Sequence, residues 1–169
     1  MARDFVVREA TKTDRGAVLH IAAAGMREFG LVPDFTGLDS ELGSIGEDHE
    51  DTIVELVAVA DNAVCCSVII TAKSGRVGKL SGFYVSEAYR GHGIGRALLR
   101  AAVEASRRAG TERLYLETWG RMHAAVRSYE STGWMRGEDL PTGSGADRSY
   151  WLALVALNKE LGAQGGDES

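Results

Sequence analysis

Apolar and polar positions along the chain fall into two periods, and each change of period marks an element. Asp4 to Ala10 alternates well enough for a first strand. Thr11-Lys12-Thr13-Asp14 then offers a capping-box start for a helix running to about Phe29, and Gly30 ends it. Leu31 to Gly37 reads as a loop, because Pro33 disfavours helix before it and Asp34, Thr36 and Gly37 surround it; Leu38 to Ile45 predicts a second, short helix. Two apolar strands follow, Thr52 to Ala60 and Ala63 to Thr71, joined by Asp61-Asn62, a pair suited to a hairpin turn. Lys73 to Gly78 is a turn into the next strand.

That strand opens the stretch from Lys79 to Leu99, around which the rest of the chain is organised. Leu80, Phe83, Tyr84 and Val85 supply strand-forming bulk, and Ser86 to Tyr89 breaks the run. Arg90-Gly91-His92-Gly93-Ile94-Gly95 leads at once into a helix with apolar residues at Ile94, Leu98, Ala101, Ala102 and Ala105. Strand, glycine-rich turn and helix make an anion-binding arrangement. Residues without Cβ let a ligand reach the main chain, and the unpaired N–H groups of the first helical turn face it. A dinucleotide fingerprint would need glycine where Arg96 stands, and the phosphate loop of nucleotide hydrolases would need Gly-Lys-Ser/Thr; both are absent.

What remains, Arg90-x-x-Gly93-x-Gly95, resembles the acetyl-CoA signature of the Gcn5-related N-acetyltransferase (GNAT) superfamily. Three further features share the resemblance. Arg113 to Trp119, after a basic helical end closed by Gly110, is similar to the family's fifth strand. Met122 to Trp134 resembles its Asn-x-x-Ala-x-x-Leu-Tyr-x-x-x-Gly-Phe segment, with Ala125, Tyr129, Gly133 and Trp134 at the matching positions. The elements also occur in the family's order. A last strand is expected from Arg148 to Val155, after a loop from Pro141 to Asp147.

The resemblance implies an α/β (α+β) fold: a mixed, mostly antiparallel central sheet flanked by helices, with a β-bulge in the fourth strand. Residues 1–161 would form one such domain and Gly162 to Ser169 a polar, disordered tail. The implied activity is acetyl transfer from acetyl-CoA to a primary amine of a small molecule or peptide. The main chain of Arg90, Gly91, His92, Gly93, Ile94, Gly95 and Arg96 would hold the diphosphate. The backbone at Tyr84 and Val85 would pair with the pantetheine arm, and the Val85 N–H would face the thioester oxygen. Tyr129 stands at the family's general-acid position, with packing of its helix as the alternative role. For the base, relatives often carry a glutamate in the fourth strand near the position of Lys79; Glu117 is the substitute candidate, its alternative role being a bond to a neighbouring backbone or basic side chain. Phe35 and the nearby acids are candidates for the acceptor side, because that region shapes the acceptor pocket in the family.

A second departure, Met122 for the usual asparagine, puts coenzyme contacts on that side in question. The competing expectation is therefore an acetyl-CoA-binding regulatory or sensor module with little or no transfer. Homodimers are common among relatives and are an expectation here.

Composition adjusts these expectations at few points. A chain of 169 residues, 44% apolar, suits one domain with a real core. It has neither an apolar run of membrane-spanning length nor a secretory leader, so a cytoplasmic protein without membrane partners is expected. Cys65 and Cys66 are neighbours in a strand, expected on opposite faces as small hydrophobes, and lack companions for a metal site. The net charge of −5 disfavours nucleic acid. Its distribution says more: Glu28 to Ala72 holds ten acids and no Lys or Arg, whereas Lys73 to Arg127 holds eleven bases and four acids. A basic half carrying the phosphate turn suits coenzyme A, and an acidic half suits a cationic acceptor, or serves only as a solvated face.

Overall fold

Asp61 and Asn62 have φ of 52° and 60°, the left-handed pair that a two-residue hairpin requires, so β2 (Thr52–Ala60) turns directly into β3 (Ala63–Ser74). The structure is a computed structural model and describes residues 4–154. The tail from Gly162 to Ser169 and Val155 of the expected last strand lie outside the described residues. The remaining strands are β1 (Val6–Glu9), β4 (Val77–Val85), β5 (Arg113–Thr118), β6 (Met135–Asp139) and β7 (Arg148–Ala153). They make one seven-stranded sheet in the order β1-β2-β3-β4-β5-β7-β6. Every pairing is antiparallel except β4 with β5.

Helices cover both faces. On one lie α1 (Arg15–Glu28) and the single turn α2 (Ser40–Gly43), whose Val18, Ala22, Met26 and Leu42 pack with Ile45, Val57 and Ile69. On the other lie α3 (Ile94–Arg108) and α4 (His123–Ser131), whose Leu98, Leu99, Ala102, Val126 and Tyr129 join the larger core against Leu56, Ala58, Val68, Ile70 and Leu80. Alternation along β2 and β3 thus feeds two cores from one pair of strands. The capping box forms at the start of α1: the Thr11 N–H donates to Asp14 Oδ2 at 2.8 Å, after which Arg8 clamps the same carboxylate with both Nη atoms at 2.7 and 2.8 Å.

Two local expectations are corrected, and one strand is added where none was assigned. The turn after β3 is shorter than the composition of Lys73 to Gly78 suggests: Ala72 pairs with Gly78 and Ser74 with Val77, which leaves only Gly75 and Arg76 between the two strands. Met135 to Leu140 carries no strand alternation, yet Met135 to Asp139 forms the exposed edge strand β6, held by pairing with β7. Cys65 and Cys66 enter the same core rather than opposite faces. Ala58 pairs with Cys66 and Val59 with Val64, so Cys65 is the extra residue of a bulge and the alternation slips there. Both thiols are fully buried, and burial pushes the Cys66 thiol up, which makes it inert.

Candidate active site

Among the described residues the only parallel pair in the sheet is joined over just three positions. Val77 to Lys79 pair with Arg113 to Tyr115, and beyond that point β5 continues with β7 alone while β4 runs on to Val85. The strands separate because β4 is bulged. Ser67 pairs with Tyr84 and Ile69 with Ser81, so two steps on β3 face three on β4, and Gly82 takes the surplus at φ 61°. A parallel β4-α3-β5 unit whose strands splay at their carboxyl ends leaves a crevice there. Two cavities open into it, each of about 340 Å³, and both are lined by Phe83, Tyr84, Met122 and Ala125.

The first cavity is walled by the glycine turn. Tyr84, Val85, Arg90, Gly91, Gly93, Ile94, Gly95 and Arg96 line it, eight of the nine residues singled out for the coenzyme. His92 is not in the lining. Gly93 caps α3 with φ 79°, a conformation that costs other residues roughly 1–2 kcal/mol. The first helical bond of α3 is donated by the Ala97 N–H to the Gly93 carbonyl at 3.1 Å; the amides of Ile94, Gly95 and Arg96 precede it and are the orphan donors of this helix start. Cβ atoms at Gly91 and Gly93 would meet nothing within 4 Å, so the space above the turn is open. At Gly95 a Cβ would lie 3.1 Å from both Phe83 Cζ and Val85 Cγ2, so that residue lets α3 press against the strand. Open main chain at a helix start, with Arg96 and Arg127 beside it, fits a diphosphate. The Arg90 guanidinium is already committed: Nη1 donates to both oxygens of Glu28 at 3.0 Å and Nε to the Val85 carbonyl at 3.2 Å. It clips the turn to α1.

The second cavity is walled by side chains. Its lining includes Met26, Leu31, Val32, Leu38 and Leu42 on the helical side and Lys79, Glu117 and Trp119 on the strand side. Asp39, Glu41 and Tyr129 open onto it as well. Lys79 Nζ stands 3.4 Å from Glu117 Oε1, so the residue near the position of the family's strand glutamate is paired with that glutamate's proposed substitute. Tyr129 is buried on α4, its ring 5.7 Å from Phe83 and 6.0 Å from both Trp134 and Tyr150. Burial raises its phenol well above the ordinary value, so it stays protonated at neutral pH. Burial, with Asp39 nearby, pushes the Tyr84 phenol up too. Phe35 lines neither cavity: it packs on the core under α1 and α2. His123 is exposed at the start of α4.

The crevice therefore gathers Tyr84, Val85, the turn, Glu117 and Tyr129, and leaves out Phe35 and His92. Asp39 and Glu41, among the acids near Phe35 expected on the acceptor side, do line the second cavity, whereas Gly25 and Glu28 line the first without having been singled out. For Gly25 a signal existed: an isolated glycine inside a helical pattern marks a close approach, and a Cβ there would sit 2.8 Å from Tyr84 Cδ1.

Relatives share both the sequence and the shape. Residues 22–134 match the profile of the Acetyltransferase (GNAT) family. The chain is 32% identical over 128 residues to streptothricin acetyltransferase of Streptomyces lavendulae, covering 75% of this chain and 67% of that protein. Among solved structures, a GNAT-family acetyltransferase from Staphylococcus aureus Mu50 superposes with a TM-score of 0.79 at 16% identity, over 89% of this chain and 99% of that one. An acetyltransferase from Salmonella typhimurium, solved with acetyl-CoA, superposes with a TM-score of 0.67 at 20% identity, over 89% and 94%. With the bulged fourth strand, the splayed crevice and the glycine turn in place, these likenesses lead to one conclusion: the chain belongs to the GNAT family of acetyltransferases, which carry out acetyl-CoA-dependent acetyl transfer.

Proposed function

We propose that this chain transfers acetyl from acetyl-CoA directly to a primary amine of a small molecule or peptide. The observation that carries the reading is the meeting of two unlike cavities at Phe83, Tyr84, Met122 and Ala125: one offers main-chain N–H groups and arginines, the other carboxylates. Such a pair suits an anionic donor entering from one side and a cationic acceptor from the other. When bound, the coenzyme supplies a thioester whose acyl carbon accepts the amine nitrogen.

In this reading the amides of Ile94 to Arg96 grip the diphosphate at the positive end of α3, and Arg96 and Arg127 add charge. The Val85 N–H donates to the acyl oxygen, a kind of contact worth roughly 3 kcal/mol in the transition state. Glu117, held by Lys79, takes the proton that the acceptor ammonium must lose, and Tyr129 Oη gives one to the departing sulfur. The raised Tyr129 phenol is consistent with the donor role, since the group carries its proton at neutral pH. Met122 lies in the shared lining where relatives carry asparagine; its own N–H is turned away to the Trp119 carbonyl at 3.0 Å.

The test is release of free thiol from acetyl-CoA in the presence of amines of several classes, streptothricin included because the similar protein is named for it. The reading expects amine-dependent release. Saturable binding of acetyl-CoA without release to any amine would instead favour a sensor.

A further inference from the structure

Val32 and Leu38 are 88% and 85% exposed, and both stand in the lining of the second cavity. Single exposed apolar residues are ordinary. Here, however, only Val6 and Met135 are the other large apolar side chains so exposed among the described residues, and the two at the cavity continue into Leu31, Met26 and Leu42 behind them. The result is an apolar wall running from solvent to the crevice. The loop that carries it is braced: the Asp34 N–H donates to Asp39 Oδ2 at 2.9 Å, the Asp39 N–H to the Asp34 carbonyl at 2.8 Å, and the Leu38 N–H to Asp34 Oδ2 at 3.4 Å.

Charge completes the description. Asp39, Glu41 and Glu117 face one cation, Lys79, which is paired with Glu117. The lining is thus net anionic, which repels an acceptor bearing a carboxylate or phosphate. An apolar acceptor body laid along Val32, Leu38 and Leu31 is removed from water together with them, a gain that a polyhydroxylated or multiply charged body does not make there. A volume of about 340 Å³ is that of a small-molecule site.

Resting on the transferase reading above, we infer that the acceptor is a small primary amine on an alkyl or aryl body, its ammonium directed to the carboxylates and its body lying along Leu31, Val32 and Leu38. Val32 and Leu38 are then specificity-determining residues.

The test compares, on the full chain, a series of n-alkylamines and 2-phenylethylamine with ethanolamine, spermidine, an aminosugar and a short peptide with a free amino terminus. The expected result is a kcat/KM that climbs with apolar length through falling KM and exceeds that of every polar amine. The Val32→Ser/Leu38→Ser variant, altered only at exposed positions, is expected to lose about tenfold in kcat/KM for the longer alkylamines and progressively less as the alkyl body shortens, with KM for acetyl-CoA unchanged. Preference for the polar amines or the peptide, or an indifferent double variant, would overturn the acceptor class while leaving the transferase reading intact. Absence of thiol release with every amine would overturn both, and calorimetry with acetyl-CoA tells that failure from a misfolded chain.

Discussion

The two cavities are equal in volume and share four residues, yet one is built of main chain and the other of side chains. Around the glycine turn the useful groups are amides, and the side chains are small, absent or turned away: Ile94 is buried in the core, and Arg90 is tied to Glu28 and Val85. Across the crevice the useful groups are carboxylates, a lysine, phenols and apolar lips from five separate elements and loops. A main-chain site tolerates little variation, because only glycine leaves the amides accessible. A side-chain site can change its guest without disturbing the fold. One family can therefore keep its donor and vary its acceptor.

This contrast is open to attack at several points. The largest effect is expected from Tyr129→Phe, which keeps the ring among Phe83, Trp134 and Tyr150 and deletes the proposed proton donor. Turnover should fall roughly 10²–10³-fold, with the acetyl-CoA Kd unchanged in calorimetry. Normal turnover would reduce Tyr129 to packing. Glu117→Gln comes next: steady-state rates should drop about tenfold or more, with the acetyl-CoA Kd unchanged. An unchanged rate would make the Lys79–Glu117 pair structural and leave the second cavity without its proposed base.

Gly93→Val sharpens the comparison from the other side. It forces a branched residue to φ 79° at a cost of roughly 1–2 kcal/mol, and should weaken acetyl-CoA about tenfold while KM for the amine stays put. The smallest effect concerns both cavities equally. Arg8 and the Thr11 N–H hold the Asp14 carboxyl down at about 2, against an ordinary 3.8. The folded state therefore gains stability above the ordinary value and loses it as pH falls from about 4 toward about 2. Asp14→Asn should cost about 1–2 kcal/mol at pH 7 in urea titrations and flatten that acid dependence. Because Asp14 anchors α1, whose far end reaches both cavities, activity should follow stability without a split between donor and acceptor constants.

What was legible in the sequence follows the same division. The hairpin at Asp61-Asn62, the capping box at Thr11 and the turn at Gly93 are local, and their residues announce their backbone angles. The bulge at Gly82 follows from the family resemblance rather than from periodicity. Its counterpart at Cys65 was hidden, because a slip in register depends on the partner strand, as does edge strand β6. On the acceptor side Phe35 misled for a related reason: aromatic character in a loop does not say which way the loop folds, and here it folds Phe35 under α1 and α2 while Val32 and Leu38 turn outward. That Glu117 could bond a basic side chain was readable from residue type, but that the partner is Lys79 emerges only from the pairing of β4 with β5.

The most direct test is calorimetric titration of acetyl-CoA into the purified chain and into Gly93→Val. One site per chain is expected, weakened about tenfold in the variant. No heat from the unaltered chain, or equal affinity in both, would contradict the claim that amides at this turn hold the coenzyme.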